Sequence, residues 1–293
     1  MSTSMNTELS TASSYNTSNM IFSKPIVGSI PNSVPALSYK RVNISTKNPN
    51  GSIGELIFCT SEIFSFGISQ NINPDTKKVN GYVMSLCLWN KDGASAEEKA
   101  FTDMFDKVVE KCKDFLITNK DELEKYDLEL NDLKKFNPLY WKREKGQIVP
   151  GTGPSLYVKL IESKKNDKIL TQFYDYEGHD IDPMSLMGKY CVGKFAMKIE
   201  SIFIGNKLSL QVKLYEAQIQ VLESGMKRLL GTPRPAPVQG LVSIDTVLPS
   251  VKHSTETGSL NGDDTDDVVV QPVVTTTTVP KRVVKRNPNK SSD

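Results

Sequence analysis

Short segments with the pattern of β-strands occupy much of the first third of the chain. Residues 39–45 alternate polar and apolar side chains, which is the period of a half-buried strand. Three apolar runs follow at 53–59, 63–68 and 81–89, and the last (GYVMSLCLW) is apolar enough to predict a buried strand. This part of the sequence therefore predicts a series of short strands.

One segment has the periodicity of an amphipathic helix. Ser95 and Glu98 have the spacing of a capping box, in which each side chain accepts a hydrogen bond from the backbone N–H of the other residue. Apolar residues then recur at steps of three and four, with Asp and Lys between them; they are Phe101, Met104, Phe105, Val108, Val109, Cys112, Phe115 and Leu116. We expect one strong helix here, followed by a weaker helical segment over about 120–135.

The pattern then returns to strands. Segments 155–161 and 169–174 are separated by the turn-forming run KKND, and 190–204 and 208–221 are joined by a Gly-Asn turn as a hairpin. Several short strands with hairpin turns and a single strong helix favour a small barrel or sandwich over a doubly wound sheet. The predicted fold is β-rich α+β, a single OB-like barrel with insertions.

The two ends of the chain differ in composition from its centre. Residues 1–36 are rich in Ser, Thr and Asn, and residues 231–293 are of low complexity, rich in Pro, Val, Thr and Ser. Such segments have too little apolar surface to offset chain entropy, so we expect a disordered N-terminal tail and a flexible C-terminal tail around a folded core at 37–230. The closing run KRVVKRNPNK can be a nuclear-localisation-like patch, a nucleic-acid-binding arm or a soluble end with no role.

Overall composition narrows the class of protein. Lys and Arg total 36 against 34 Asp and Glu, a net charge of +2, so whole-molecule charge does not drive binding to nucleic acid. No stretch approaches the roughly 18 apolar residues that span a bilayer, which predicts a protein that is not integrated in a membrane. The 4 cysteines form no CxxC pair and favour reduced thiols, and with only 2 histidines they predict no metal centre.

The sequence contains none of the common catalytic signatures. It has no phosphate-binding GxxxxGK[ST] loop, no GxGxxG after a strand, no GxSxG and no HExxH. His179 lies in an acidic segment with Asp175, Glu177, Asp180 and Asp182. A surface loop is favoured there over a general base or metal site. We expect a protein that is not an enzyme, with no catalytic residue and no cofactor.

The most informative segment is LKKFNPLYWKREKG at 133–146, which interleaves cations with aromatic rings. Single-stranded nucleic acid needs both, because cations neutralise phosphates and flat rings stack on unpaired bases, at about 1–3 kcal/mol per base. The alternative is that the rings are buried anchors and the lysines form a solvated rim. The candidate nucleic-acid-binding residues in this segment are Lys134, Lys135, Phe136, Tyr140, Trp141, Lys142, Arg143 and Lys145.

Charge is unevenly divided around this segment. Residues 97–132 hold 12 acids and 6 bases, whereas residues 134–168 hold 9 bases and 3 acids. A nearly neutral protein can keep a positive groove in this way. Two predicted strands add a ring and a cation on one face, two residues apart. These secondary candidates are Tyr157 with Lys159, and Lys213 with Tyr215.

Several segments in fixed order resemble a family of largely uncharacterised proteins from nucleocytoplasmic large DNA viruses, especially iridoviruses. The segments are SEIFSFGIS at 61–69, GYVMSLCLW at 81–89, AEEKAF–F–CKDFL at 96–116, LKKFNPLYWK at 133–142, SLYVKL at 155–160 and IESIFIGNKLSLQVKLYEAQI at 199–219. Relatives of this family in other such viruses are regarded as OB-fold single-stranded-DNA-binding proteins. The resemblance covers about 39–230 and neither tail, and it aligns 133–142 with the nucleic-acid-contacting surface.

The resemblance implies a sequence-independent single-stranded-DNA-binding protein that acts in viral genome replication, recombination or repair. RNA is an alternative ligand, and viral replication proteins or virion components are expected partners. The expected location is the infected host cell, in the nucleus or at a cytoplasmic replication site, with the virion as an alternative. The competing hypothesis is a virion-associated structural or assembly protein that does not bind nucleic acid.

Overall fold

The computed structural model describes residues 6–29, 38–73, 77–90, 93–163, 166 and 168–222. Within these residues the chain forms one α-helix, four 3₁₀-helices and fifteen strands. The α-helix, α1, spans Ala96–Thr118, and the 3₁₀-helices span Ala12–Ser14, Thr17–Asn19, Leu130–Lys135 and Pro183–Leu186. The strands are β1 (Glu8–Ser10), β2 (Met20–Phe22), β3 (Ile26–Ser29), β4 (Ser38–Lys47), β5 (Ile53–Cys59), β6 (Ile63–Ile72), β7 (Val79–Cys87), β8 (Arg143–Glu144), β9 (Gln147–Ile148), β10 (Ser155–Leu160), β11 (Glu162–Ser163), β12 (Lys168–Ile169), β13 (Gln172–Tyr174), β14 (Cys191–Ile204) and β15 (Leu208–Val221).

Five of these strands close into a ring. β6 pairs with β7, β7 with β10, β10 with β15 and β15 with β14, and the first residues of β14 pair back onto β6. The β10–β15 pairing is parallel and the other four are antiparallel. This is a five-stranded Greek-key barrel of the OB type, so the predicted β-rich α+β, OB-like fold is confirmed. The predicted hairpin of β14 and β15 is its longest pairing.

Buried and partly exposed side chains alternate along β10 and β15, and this alternation identifies the inner and outer faces of the barrel. Leu156, Val158 and Leu160 of β10 are buried, as are Val212 and Leu214 of β15. Each such side chain removed from water contributes about 1.5–3 kcal/mol, so a slip of one residue in register is strongly disfavoured. The residues between them consequently point to the outer face of the barrel.

Strand β14 is long enough to pair with three strands besides β15. Its beginning pairs with β6, its middle with β5 and its end with β4. Two register shifts in its pairing with β15 mark β-bulges, which bend the strand. Strands β2 and β3 pair with β4, and β1 pairs with β5. The sheet therefore extends beyond the ring on the side of β4 and β5.

Helix α1 begins as predicted. Ser95 and Glu98 form the reciprocal capping box, and the predicted apolar stripe faces the core. The weaker helical segment expected at 120–135 is instead a series of turns, followed by the 3₁₀-helix Leu130–Lys135. Asn119 ends α1, and the positive φ of Glu124 (58°) is incompatible with continuing it. No helix among the described residues is long and apolar enough to cross a membrane.

The N-terminal segment differs from the expectation of disorder over 1–36, because residues 6–29 are built into the fold. The Tyr15 ring packs edge-on against Phe58, and the Phe22 ring stacks on Phe115 of α1. Isolated apolar residues in a polar segment here fill gaps between the sheet and the helix, which composition alone does not reveal. The predicted C-terminal tail at 231–293, and the last predicted core residues after 222, lie outside the described residues.

Candidate nucleic-acid interface

We call residues 133–146, with their interleaved cations and rings, the basic-aromatic segment. It begins in the 3₁₀-helix Leu130–Lys135, and the chain returns to the barrel at β10. Lys134 and Lys135 end the 3₁₀-helix and are exposed. Tyr140 then pairs with Ser155, the first residue of β10, through two backbone hydrogen bonds of 2.8 Å. The remaining cations follow in the hairpin of β8 and β9. The segment is thus an arm attached at the start of β10.

Phe136 is not available to stack on a base, which corrects its place among the candidate rings. Its side chain is 2% exposed and belongs to the main core, as do Leu133 and Leu139. Leu133 lies in the 3₁₀-helix, Phe136 caps its C-terminal end, and Leu139 follows three residues later. For Phe136 the alternative of a buried anchor is correct.

Trp141 is half-buried and packs against a second tryptophan. Its ring meets Trp89 edge to face, with centroids 5.3 Å apart and an interplanar angle of 86°. The indole N–H of Trp89 donates to Thr102 of α1 at 3.3 Å. Gly153 passes so close to Trp89 that a Cβ there would overlap the indole. Trp141 therefore holds the arm against the core, and only part of its ring is open.

Tyr140 and Tyr157 are neighbours on the outer face of the barrel. Tyr140 is 49% exposed. Tyr157 lies two residues beyond Ser155 on the same face of β10 and is half-buried. Burial raises the pKa of Tyr157, and the nearby Cys87 and Tyr140 raise it further. The Tyr157 phenol therefore stays neutral at physiological pH, so its ring can approach a base without an added negative charge.

The hairpin cations lie at the tip of the arm. Lys145 (φ 51°) and Gly146 (φ 82°) are the left-handed pair of a tight two-residue turn between β8 and β9. Arg143 donates to the Gly146 carbonyl at 3.1 Å, and Lys142 lies 3.4 Å from Glu144. An ion pair of this exposed kind is worth about 0–1 kcal/mol. A phosphate can therefore replace Glu144 as the partner of Lys142 at little cost.

A second group of cations crosses the outer face of the barrel. Lys159 of β10 and Lys213 of β15 are paired in register, and Lys159 donates to the buried Gln211 at 3.3 Å. Lys213 lies 3.1 Å from Glu200 of β14, and the same carboxylate oxygen lies 3.8 Å from Arg41 of β4. We call Arg41, Lys213 and Lys159, on β4, β15 and β10, the cation row.

Sequence reasoning missed Arg41 and Glu200. The pair is brought together by the β14–β4 pairing, across a long stretch of sequence. The one local signal was the alternation at 39–45, which places Arg41 on a polar face. Tyr215 lies two residues beyond Lys213 at the β-bulge of β15, between Leu214 opposite Met197 and Glu216 opposite Ala196, and it is half-buried.

Over residues 13–257 the chain matches the model of a family described as protein of unknown function DUF2738. The chain belongs to this family. The match confirms the resemblance drawn from the ordered segments, and it extends further in both directions than the predicted 39–230. It takes in Tyr15 and Phe22, which join the N-terminal segment to the core of this DUF2738 protein.

Two curated relatives are viral proteins. The chain is 29% identical over 246 residues to uncharacterized protein 007R of Invertebrate iridescent virus 3, covering 78% of this chain and 51% of that protein. It is 30% identical over 193 residues to the Early 31 kDa protein of Frog virus 3 (isolate Goorha), covering 64% of this chain and 72% of that protein. The chain thus spans about half the length of the first relative.

Among solved structures, the chain is similar to gp2.5, described as a single-stranded DNA binding protein encoded by bacteriophage T7. The sequences are 15% identical, and the match covers 60% of this chain and 98% of that one with a TM-score of 0.33. A score this low supports no conclusion about the function of the DUF2738 chain.

The acidic segment around His179 is a tightly hydrogen-bonded surface turn. Asp175 accepts the backbone N–H groups of His179 and Glu177, each at 2.9 Å, and lies 3.0 Å from His179 Nδ1. These bonds, led by the one from the His179 backbone, hold the pKa of Asp175 below its usual value. One ligand atom from each of these three residues lies within 4.8 Å of the others, but the bonds within the turn account for that closeness.

All four cysteines are free thiols. Burial raises the pKa of Cys112 and of Cys191 to about 12, and it does the same for the half-buried Cys87. Burial also raises the pKa of Cys59. Thiols of this kind stay protonated at neutral pH and are poor nucleophiles and poor metal ligands.

Proposed function

We propose that this protein binds single-stranded DNA without sequence preference through the outer face of its barrel. The observation that carries the proposal is the placement of Tyr140 and Tyr157 side by side at the start of β10, between the arm cations and the cation row. β7 and β10 are the second and third strands of the five-stranded ring. The corresponding face of OB barrels commonly receives oligonucleotides.

The chemistry of this face suits an unpaired strand. A ring stacks on the face of any base, and a Lys or Arg pairs with any phosphate, so neither contact selects a sequence. In a duplex the bases already stack on one another and their faces are closed to Tyr140 and Tyr157. The same chemistry accepts single-stranded RNA, which is therefore the competitor to measure.

The biological role follows from that binding. We propose that the protein coats and protects exposed strands during viral genome replication, recombination or repair, without catalysing a reaction and without a cofactor. Its location would then be the viral replication site in the nucleus or cytoplasm of the infected cell. Immunofluorescence together with labelling of newly made DNA tests this directly, since a protein with no such role would not follow the label.

A second candidate is a structural or assembly protein of the virion, favoured by strand β3. Ile26 and Val27 of β3 are 53% and 66% exposed, on a short strand that pairs with β4. Exposed apolar edge strands readily pair with another chain. If this contact is the main function, Val27→Lys will remove the protein from purified particles, and Lys142→Glu with Arg143→Glu will not.

The proposal is tested by fluorescence anisotropy with the full-length chain and a labelled oligo-dT of about 16 nucleotides, the upper end of the site size of one OB barrel. Binding should weaken with salt at a log–log slope of about −0.7 for each phosphate contacted. Unlabelled single-stranded DNA should compete better than duplex. Single-stranded RNA is titrated in the same way.

The site is tested by the double charge reversal Lys142→Glu with Arg143→Glu. We expect at least a tenfold loss of affinity and a shallower salt slope. Its matched control reverses two exposed lysines elsewhere, Lys47 at the far end of β4 and Lys107 on α1, and gives a smaller loss through net charge alone. Equal losses in the two variants would reject the arm as the site. No binding by the wild type at low salt would reject the function.

A further inference from the structure

We infer that the outer face carries a second stacking platform for single-stranded nucleic acid, formed by the rings of Tyr39 and Phe203 beside Arg41. The inference rests on the proposed function and extends it from the barrel onto the sheet added by β4. A bound strand would run from Tyr140 across the cation row to this ring pair.

The two rings and the guanidinium share one face of the sheet. The ring centroids of Tyr39 and Phe203 are 4.9 Å apart, with an interplanar angle of 34°. Phe203 of β14 pairs in register with Arg41 of β4, and Tyr39 lies two residues before Arg41 on the same side. All three side chains are half-buried, so each also presents a free surface to solvent.

Two glycines leave room for these rings close to the backbone. Gly28 of β3 pairs in register with Tyr39, and a Cβ at Gly28 would overlap the Tyr39 ring. A Cβ at Gly205 would come within 2.8 Å of the Phe203 ring. Ring atoms occupy the space that a Cβ at either glycine would fill, and the part of each half-buried ring that stays exposed is the surface on which a base would stack.

Aromatic cover of a glycine at a sheet edge stabilises the strand by itself. That effect accounts for the packing of the two rings against Gly28 and Gly205. It needs no cation beside them, and it does not account for the link from Arg41 through Glu200 to Lys213.

This link brings the cations together between the two platforms, around the Glu200 carboxylate. Lys159, Lys213 and Arg41 lie on β10, β15 and β4, with β14 between the last two. Three strand spacings of about 4.8 Å separate β10 from β4, roughly 14 Å. Rings at the two ends and cations between them match the bases and phosphates of one strand better than they match a protein partner.

The test compares two lengths of labelled oligo-dT on the full-length chain, about 4 and about 16 nucleotides. The variant is Tyr39→Leu with Phe203→Leu, which keeps apolar cover over both glycines. We expect it to lose at least fivefold in affinity for the long oligonucleotide, which reaches both platforms. For the short one we expect a loss of twofold or less, because the Tyr140 platform remains.

The control is Tyr126→Leu, which removes a tyrosine that is 63% exposed in another part of the surface and should change neither affinity. Arg41→Gln supplies an independent variant that leaves both rings in place. It should reduce the salt slope for the long oligonucleotide by about 0.7, the loss of one phosphate contact. Thermal unfolding of each variant checks that the fold is retained.

The outcomes separate this inference from the function on which it rests. If the wild type binds and Tyr140→Ala weakens it, but the Tyr39–Phe203 variant and Arg41→Gln both bind the long oligonucleotide like the wild type, the second platform is wrong and the function stands. If the Tyr39–Phe203 variant loses binding to another protein while its DNA affinity is unchanged, the two rings form a protein contact and the second platform is wrong. If the wild type does not bind at all, both proposals fail together.

Discussion

The Lys213 ammonium lies 3.1 Å from the Glu200 carboxylate on the outer face of the barrel. Arg41 approaches the same oxygen from the opposite strand at 3.8 Å. One carboxylate therefore partly neutralises two cations in the middle of the proposed path of the strand. Glu200 is positioned to limit the affinity of this surface, because a phosphate that pairs with Lys213 or Arg41 must compete with it.

Removing that charge should strengthen DNA binding. We expect Glu200→Gln, which keeps the size of the side chain, to raise the affinity for oligo-dT about threefold or more at low salt. The log–log salt slope should steepen by about 0.7 for each additional phosphate that Lys213 or Arg41 contacts. Anisotropy titrations at several salt concentrations measure both quantities.

The matched control is Glu110→Gln on α1, which removes a carboxylate paired with Lys113 at 2.8 Å on an exposed helix face. It changes the net charge equally and should change affinity much less. If Glu200→Gln binds no better than Glu110→Gln, then Lys213 and Arg41 do not contact phosphate.

Phe136 and Tyr140, four residues apart in one segment, should have opposite mutational effects. Phe136 is buried, so Phe136→Ala should lower the free energy of unfolding by about 3–5 kcal/mol. Tyr140 is exposed, and Tyr140→Ala should cost little stability but about 1–3 kcal/mol of binding free energy. Urea unfolding and anisotropy on the same preparations measure the two effects. A stable Phe136→Ala protein that has lost DNA binding would contradict this assignment.

Elements with a local pattern could be predicted from the sequence. Helix α1 has its capping box and stripe within one segment, and the β14–β15 hairpin has its turn and alternation within another. The N-terminal segment has no such pattern. Tyr15 and Phe22 are single rings among polar residues, and their partners Phe58 and Phe115 lie far away in sequence. Only the folded chain shows what they cover.

The candidate site was partly predictable for the same reason. The arm was found because its cations and rings are adjacent in sequence, and Lys159 and Lys213 because they lie on clear polar faces. Sequence could not separate Phe136 from Tyr140, since both are rings near lysines. Phe136 caps the 3₁₀-helix and is buried, whereas Tyr140 pairs with Ser155 and is exposed. Arg41 was missed because strand pairing alone brings it to Lys213.

Gly67, in the first strand of the barrel, should not tolerate a side chain. It has a φ of +83° in β6, at a register shift between Ser65 and Ile68. A Cβ there would overlap the Lys189 carbonyl oxygen and come within 2.8 Å of the Leu186 carbonyl oxygen. Both are backbone atoms and cannot rotate away. We expect Gly67→Ala to lower the free energy of unfolding by about 3 kcal/mol or more.

Gly51→Ala separates steric overlap from backbone strain. Gly51 has nearly the same φ, +84°, but nothing lies within 4 Å of its Cβ position. Left-handed strain alone should cost it roughly 1–2 kcal/mol. Urea unfolding of the two variants measures the difference, and equal losses would show that the contacts around Gly67 relax freely.

The buried thiols should make the protein less stable at alkaline pH. Burial raises the pKa of Cys112 to about 12, whereas an unfolded cysteine titrates near 8.5. Below about pH 8.5 the thiol is protonated in both states and costs nothing. As pH rises from there towards 12, the unfolded chain releases the proton while the folded chain keeps it, so the free energy of unfolding falls by about 1.4 kcal/mol per pH unit.

The variant Cys112→Ala should therefore flatten the dependence of stability on pH. It lowers stability at pH 7.5 by leaving a cavity, but between about pH 7.5 and 10 it should lose roughly 1.4–2 kcal/mol less than the wild type. Val108→Ala, a cavity variant on the same buried face of α1 with no titrating group, is the control and should follow the wild-type slope. If the free energy of unfolding of Cys112→Ala falls with pH as steeply as that of Val108→Ala, the Cys112 thiol titrates alike in the folded and unfolded states. Other groups then cause the loss of stability at alkaline pH.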